Sequence, residues 1–223
     1  MSSDNGGMEV TRILAIRHGE TAWNLDTRIQ GHLDIPLNDT GRLQARRMAQ
    51  ALADEPLHAI YSSDLSRAFE TASILSQHHP QQRGRPPVAH HQLRERCFGS
   101  LEGQTWADIE NRHPEEASRW RRREPDWAPA GGETLVQLRH RIEQMLNNLA
   151  QSHRGEQIAV VVHGGVLDAI YRLASGVDIR APRNWHLGNA AINRLLWSPD
   201  RLSLLSWGDT RHLDEESLDE RSA

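Results

Sequence analysis

Two short apolar runs dominate the hydrophobic pattern of the chain. Residues 13–16 and 158–162 are continuously apolar, and each run is followed within three residues by a histidine and a glycine. Uniform apolarity of this length is typical of a strand that is covered on both faces of a parallel sheet. We therefore predict two central strands, at residues 11–16 and 158–162.

Helical patterns alternate with strand patterns along the rest of the sequence. Helices are predicted over residues 42–54, from about 64 to 77, over 104–120 with a break near Pro114, from about 133 to 153, and over 164–175. Further strands are predicted over residues 58–61, 88–91, 192–197 and 202–207, the last two as a hairpin. This alternation predicts an α/β fold, a three-layer sandwich in which a mostly parallel central sheet has helices on both faces.

Two of the predicted helices come with specific local expectations. The helix predicted from about residue 64 to 77 is expected to begin with Ser63 or Asp64 as its N-cap, since both side chains can accept from a first-turn N–H. In the helix predicted over residues 42–54, four positions are expected to be buried: Leu43, Met48, Ala51 and Leu52.

Length and composition place the chain among single-domain globular proteins. At 223 residues, without an internal repeat or linker, it is predicted to be one domain, with flexible tails at 1–9 and about 212–223. No apolar stretch approaches the roughly 20 residues of a membrane span, and a net charge of −4 disfavours binding to nucleic acid. Cys97 is the single cysteine, so no internal disulfide can form and a cytoplasmic location is expected.

All 26 basic residues are arginine. The absence of lysine excludes a Walker A phosphate loop and Schiff-base chemistry. Any recognition of phosphate must therefore use arginine, whose planar guanidinium binds phosphate oxygens in pairs.

Cations and imidazoles follow the predicted strands at corresponding places. Arg17 and His18 follow the first strand, Arg67 lies in the first turn of the helix after residues 58–61, and His163 follows the second central strand. The carboxyl ends of parallel strands form the binding edge of α/β sheets, and helix N-termini favour anions. Individually, the arginine could be solvated and His163 could be a core histidine, but together they predict a phosphate pocket without a metal.

Five segments carry a resemblance to a known family. They are residues 17–24 (RHGETAWN), 29–37 (IQGHLDIPL), 62–68 (SSDLSRA), 93–95 (LRE) and 163–165 (HGG). In this order and spacing they resemble the histidine phosphatase superfamily, in its phosphoglycerate-mutase-like branch, over about residues 12–207.

The resemblance implies roles for ten residues. His18 would be the nucleophile that accepts the phosphoryl group, which requires a neutral imidazole, and nearby arginines disfavour its protonated form. Glu95 would first protonate the leaving group and then activate water. Arg17, Arg67 and His163 would neutralise the phosphoryl oxygens. The remaining expected contacts to phosphate or substrate are Asn24, Gln30, Gly164, Arg121 and Arg122.

The family contains both mutases and phosphatases, and this sequence departs from the mutases. Phe98 and Trp106 stand where the mutases have tyrosine and a substrate-binding lysine. The long segment that covers the mutase site is also missing between Trp120 and Gly132. Because a mutase must keep water from its phosphoenzyme, a shortened site favours hydrolysis. We therefore predict a metal-independent phosphomonoesterase that acts on a small phosphorylated metabolite without a cofactor.

Three alternatives remain open at this stage. Arg121 and Arg122 resemble an arginine pair that mutases use on substrate, so phosphoglycerate mutase is the second hypothesis. A non-catalytic phosphate-binding module is the third. A metal hydrolase built on the adjacent histidines at 78–79 or 90–91 is disfavoured, because neighbouring side chains on a strand point to opposite faces. A homodimer is expected from the resemblance alone.

Overall fold

The two predicted central strands lie side by side in a six-stranded sheet. A computed structural model describes residues 10–214. Within them the strands are β1 (Thr11–Arg17), β2 (Ala59–Ser62), β3 (Val88–Ala89), β4 (Gln157–Val162), β5 (Ile192–Ser198) and β6 (Arg201–Asp209). Their order across the sheet is β3-β2-β4-β1-β5-β6. The first four in that order run parallel, and β5 and β6 are antiparallel to their neighbours.

Seven α-helices are described in the same part of the chain. They are α1 (Ala22–Leu25), α2 (Asp39–Ala51), α3 (Ser66–His78), α4 (Trp106–Arg112), α5 (Pro114–Arg121), α6 (Leu135–Gln151) and α7 (Gly164–Ser175). Helices α6 and α7 pack on one face of the sheet, and α2 and α3 pack on the other. This arrangement confirms the predicted three-layer α/β sandwich.

Alternate residues of β1 explain why its sequence is apolar throughout. Ile13 and Ala15 face the core beneath α6 and α7, whereas Leu14 and Ile16 face the core beneath α2 and α3. Each of these four side chains is at most 2% exposed. A strand that is covered on both faces gains from an apolar side chain at every position, so its sequence carries no alternation.

The predicted peripheral strands are also present. Strands β5 and β6 form the expected terminal hairpin, and β3 is a two-residue strand at the edge of the sheet. The predicted irregular helix at 104–120 is divided into α4 and α5, because Pro114 occupies the first position of α5 and cannot donate to the preceding turn.

The helix predicted over 42–54 begins earlier, at Asp39. Asn38 is its N-cap, and the Asn38 side chain accepts a hydrogen bond of 2.8 Å from the N–H of Gly41. Met48 and Leu52 are buried as predicted. Leu43 is 42% exposed and Ala51 is exposed, so those two predictions are wrong. The small residues Ala45 and Ala49 occupy the buried face instead, where α2 lies close to its neighbours.

The predicted cap of α3 is wrong. Leu65 occupies the N-cap position without a side-chain hydrogen bond, and the N–H of Ser66 donates to Asp34 from a distant loop at 2.7 Å. Asp64 is instead paired with Arg94 at 2.7 Å. A tertiary contact therefore satisfies the first turn of α3 in place of a local cap.

The segment expected to be flexible from about residue 212 starts with packed residues. His212 donates from Nε2 to the Ala190 carbonyl at 3.1 Å, and Arg47 donates to the Leu213 carbonyl at 2.8 Å. The rest of the two predicted tails, residues 1–9 and 215–223, lies outside the described residues. Over residues 10–214 no helix combines the length and apolarity needed to cross a membrane.

Candidate active site

Two histidines meet at the carboxyl ends of β1 and β4. His18 follows β1, His163 follows β4, and the N–H of His18 donates to the carbonyl of Val162 at 3.0 Å. The centroids of the two imidazole rings are 5.2 Å apart. Parallel pairing of β1 with β4 thus brings together residues that are 145 positions apart in sequence.

The environment of His18 fixes both its charge and its tautomer. Burial, followed by the charges of Arg67 and Arg17, holds the pKa of His18 well below its usual value of 6.5. Nδ1 of His18 lies 2.7 Å from the Gly19 carbonyl, which can only accept, so Nδ1 carries the proton. The free lone pair of the neutral ring is consequently on Nε2.

Arg17 and Arg67 supply buried positive charge beside His18. The guanidinium of Arg67 donates to the carbonyls of Leu33 and Gly31 at 2.9 and 2.8 Å, and that of Arg17 donates to the Leu187 carbonyl. Neither arginine forms an ion pair with a carboxylate in the described part of the chain. Burial lowers the pKa of both, that of Arg67 to about 10. Such a site has positive charge that an anion would neutralise.

Glu95 is held at the same site by backbone N–H groups. Its Oε1 accepts from the N–H of Arg96 at 2.7 Å, and its Oε2 accepts from the N–H of Gly165 at 3.0 Å. A Cβ atom on Gly165 would lie 2.5 Å from Oε1, so glycine is required for this close approach. The carboxylate raises the pKa values of Arg17 and Arg67 and so partly offsets the effect of their burial.

The amide of Asn24 is oriented by its neighbours. Its Oδ1 accepts from the N–H of Thr21 at 3.0 Å and from Nδ2 of Asn189 at 3.4 Å. Its own Nδ2 has no acceptor among residues 10–214. Gln30 is buried, and its Oε1 has no hydrogen-bond partner within the same residues. The backbone of Gly164 lies against the Arg17 guanidinium, where a Cβ would be 3.7 Å from Cζ.

The structure places Arg121 and Arg122 away from this pocket. Arg121 pairs with Glu110 and lies over the Trp106 ring, 5.4 Å from its centroid. Arg122 pairs with Glu124 at 2.8 Å and remains 61% exposed. The structure therefore does not bring this pair to His18, since Arg121 pairs with a carboxylate of α4 and Arg122 with one just after α5; their contact with substrate stays a prediction.

A cavity of ≈360 Å³ adjoins the phosphate pocket. Arg17, Gly164 and Gly165 lie in its wall, and Arg123 enters it from the end of α5. The remaining wall includes aromatic rings, among them Phe98 and Trp120, which stack 4.7 Å apart. Arg17 therefore faces both this cavity and the site around His18.

The sequence of residues 13–210 matches the family described as "Histidine phosphatase superfamily (branch 1)". The chain belongs to the histidine phosphatase superfamily. This membership agrees with the resemblance that the sequence motifs carry and with the fold and pocket described above.

Members of the superfamily with similar sequences carry both phosphatase and mutase names. Phosphoglycerate mutase-like protein 4 of Arabidopsis thaliana is 37% identical, with 95% of this chain and 91% of the relative covered. The metal-independent phosphoserine phosphatase of Arabidopsis thaliana is 38% identical, with 92% and 84% covered. A solved structure of a mycobacterial glucosyl-3-phosphoglycerate phosphatase in complex with VO3 is 31% identical, has a TM-score of 0.79, and covers 88% of this chain and 98% of its own.

Sequence reasoning missed three residues near the histidine phosphatase site. Asn189 donates from Nδ2 to the His18 carbonyl at 3.0 Å, and Arg123 and Arg183 lie in the wall of the adjoining cavity. Residues 176–191 have no regular secondary structure and no hydrophobic period, so their approach to the site has no sequence signal. Arg123 differs from its two arginine neighbours only by its place in the fold.

No group of three or more His, Cys, Asp or Glu side chains within residues 10–214 is arranged to hold a metal ion.

Proposed function

We propose that this chain is a metal-independent phosphomonoesterase that hydrolyses a small phosphorylated metabolite through a phosphohistidine on His18. The observation that carries the proposal is the state of His18 itself. Its imidazole is neutral, its proton is fixed on Nδ1, and it lies beside two buried arginines that form no ion pair with a carboxylate of residues 10–214. A nucleophile at phosphorus needs this free lone pair and these nearby positive charges.

In the first step the phosphoryl group moves from substrate to protein. Nε2 of His18 attacks phosphorus and the bond between phosphorus and the ester oxygen breaks. Glu95 enters this step protonated, and its proton passes to the leaving oxygen. Arg17, Arg67 and His163 surround the phosphoryl oxygens, and Asn24 donates from its free Nδ2. The products of this step are a free alcohol, a phosphohistidine and an ionised Glu95.

In the second step water takes the phosphoryl group from His18. Glu95, now ionised, removes a proton from the attacking water, and the bond between phosphorus and Nε2 breaks. Inorganic phosphate leaves and His18 regains its lone pair. Neither step needs a metal ion or another cofactor.

Hydrolysis is favoured over mutase activity by the aromatic region beside the pocket. Phe98 stacks on Trp120, and the Trp106 ring lies edge-on to Trp120 at 5.6 Å. Trp106 therefore packs in a small apolar cluster and holds no charge over the substrate, unlike the lysine of the mutases. The phosphoglycerate mutase-like name of a relative keeps mutase activity as the second candidate.

The direct test combines product analysis with detection of the phosphoprotein. We expect the protein to release phosphate from a generic aryl phosphate without added metal and in the presence of chelator, and to carry acid-labile phosphate after rapid quenching. His18→Ala should abolish both signals, whereas His78→Ala, at an exposed position on α3, should leave them intact. Rapid isomerisation of 3-phosphoglycerate in the presence of 2,3-bisphosphoglycerate, with negligible phosphate release, would instead establish the mutase.

Substrate size, location and assembly complete the proposed function. The substrate is expected to be a small molecule because the cavity beside His18 has a volume of ≈360 Å³. A reducing compartment such as the cytoplasm fits a chain with one cysteine. A homodimer is the expected assembly, which sedimentation of the purified protein would test.

A further inference from the structure

The cavity next to the phosphate pocket has a strongly cationic wall. Of its lining side chains, four are arginines and one is a carboxylate: Arg17, Arg96, Arg123, Arg183 and Asp168. A single phosphoryl group at His18 would be served by Arg17 together with Arg67. The cavity therefore holds more positive charge than the proposed reaction at His18 requires.

Two of the four arginines in the wall are occupied by protein groups. Arg123 pairs with Asp168 at 2.6 Å and donates from Nε to a backbone carbonyl. Arg96 is 5% exposed, donates to the carbonyls of Glu133 and Trp127, and lies over the Phe98 ring. Arg123 therefore has a carboxylate partner for its charge, and Arg96 is buried with its guanidinium held by backbone carbonyls and an aromatic ring.

Arg183 differs from them because it has no partner in the described part of the chain. It is exposed, and its side chain forms no hydrogen bond or ion pair with any of residues 10–214. Its charge is close enough to Arg17 to lower the pKa of that guanidinium. Two like charges facing one cavity repel each other, and a ligand with two negative groups would neutralise both.

The segment that carries Arg183 is held in a defined place although it is irregular. Before Arg183, the buried Arg172 donates to the carbonyls of Asp178 and Ala181, the latter at 2.8 Å. After it, the Trp185 ring stacks on Tyr171 with 4.0 Å between centroids. Anchors on both sides reduce the entropy that a contact from Arg183 to a ligand would cost.

We propose that Arg183 is a specificity-determining residue that binds a second anionic group of the substrate, a carboxylate or a second phosphate, while the phosphoryl group lies at His18. This inference rests on the proposed phosphomonoesterase function. It replaces Arg121 and Arg122, which lie outside the cavity, as the residues that select an acidic substrate.

The test compares ligands that differ in one anionic group. 3-Phosphoglycerate and glycerol 3-phosphate are nearly identical, except that the first carries a carboxylate where the second carries a hydroxymethyl group. Propane-1,3-diol bisphosphate carries a second phosphate and no carboxylate. The inhibition constant of each is measured in competition with an aryl phosphate, so the measurement does not depend on which ligand is itself hydrolysed.

We expect the unaltered protein to bind 3-phosphoglycerate or the bisphosphate at least about tenfold more tightly than glycerol 3-phosphate, as a hydrogen-bonded charge pair provides. Arg183→Gln should remove that preference and change the inhibition constant of glycerol 3-phosphate by no more than about twofold. Arg183→Lys should restore part of it. Of the two ligands that carry a second anionic group, the one that loses more affinity in Arg183→Gln identifies that group as carboxylate or phosphate.

Arg180→Gln is the matched control, because Arg180 is an exposed arginine of the same segment that does not line the cavity. Equal losses in both variants, or no preference in the unaltered protein, would overturn the role of Arg183. Failure to hydrolyse the aryl phosphate would instead refute the proposed function. The three ligands would then be compared by equilibrium binding. A preference for a second anionic group that Arg183→Gln removes would still support the role of Arg183.

Discussion

Several polar atoms in the pocket are buried without a partner. They are Nε of Arg17, Nε of Arg67 and both ring nitrogens of His163, and none has a hydrogen bond within residues 10–214. Each such atom costs about 1–3 kcal/mol relative to a satisfied group. Their concentration at one place is what a site built for a polar ligand requires, because the ligand supplies the missing partners.

The charge of Arg67 should be measurable through the pKa of His18. Arg67 contributes to holding that pKa down because a positive neighbour disfavours the protonated ring. Arg67→Gln should therefore raise the pKa of His18, which titration by NMR of the labelled imidazole would report. An unchanged or lower pKa would contradict the assignment, and Arg85→Gln, at an exposed position, provides the comparison.

Glu95 is expected to matter most for substrates with basic leaving groups. An alkoxide needs a proton as it leaves, whereas an activated phenolate does not, so Glu95→Gln should slow alkyl phosphate cleavage about 10²- to 10⁴-fold. Phosphorylation of His18 by an activated aryl phosphate should be much less affected. Because the same residue activates water, the phosphoprotein should then accumulate, as quenched-flow analysis would detect.

A surface carboxylate provides the control for Glu95. Glu124 pairs with the exposed Arg119 of α5 and the exposed Arg122 that follows it, so Glu124→Gln should leave both steps unchanged. Equal slowing of alkyl and aryl substrates by Glu95→Gln, without accumulation of phosphoprotein, would assign Glu95 a structural role.

The segment after β1 is positioned by contact with the start of α2. Gly19 and Gly41 pack backbone to backbone, and a Cβ on Gly41 would lie 2.1 Å from the carbonyl oxygen of Glu20. The cap of α2 strengthens the contact, since Asn38 donates to the Glu20 carboxylate at 2.8 Å. This helix end therefore determines where the residues beside His18 lie.

Gly41→Ala separates helix propensity from this contact. Within a helix, alanine is more favourable than glycine by about 1 kcal/mol, so propensity alone predicts a stabilised protein. The contact with Glu20 predicts the opposite, a net loss of about 1–3 kcal/mol in the free energy of unfolding, together with lower activity. Urea denaturation distinguishes the two, with Gln50→Ala at an exposed α2 position as reference.

Elements were predictable from sequence where local and tertiary requirements agree. β1 and β4 are buried on both faces, so their apolar runs identify them directly. Helix α2 begins three residues before its predicted start, because the start depends on the Asn38 cap. Its buried face uses alanines, which carry little hydrophobic signal. The cap of α3 was not predictable, since its partner Asp34 comes from another loop.

For the whole molecule, the two buried histidines link stability to pH. Burial and neighbouring positive charge lower the pKa values of His18 and His163 well below 6.5, the value expected in the unfolded chain. As pH falls below 6.5 the unfolded state binds more protons than the folded state. The folded state is therefore progressively destabilised in acid, whereas above pH 6.5 these residues contribute no pH dependence.

The expected slope is up to about 1.4 kcal/mol per pH unit for each of the two histidines. Urea denaturation at a series of pH values below 6.5 would measure it, and His163→Gln should remove about half. Carboxylates with lowered pKa, such as Asp209 at about 2, contribute in a separate and more acidic range. A free energy of unfolding that stays constant from pH 7 to pH 5 would contradict the buried, neutral state of the pair.

The sequence by itself determined the fold class, the central strands and the two histidines that follow them. This was possible because burial on both faces leaves a local apolar pattern, and because the residues at the strand ends are marked by glycines beside them. It could not determine which arginine reaches the cavity. Arg121, Arg122 and Arg183 look alike in sequence, and only the packing of α5 and of the irregular segment before β5 gives Arg183 an open cavity and no partner among residues 10–214. Such contacts depend on distant parts of the chain, so they leave no local pattern.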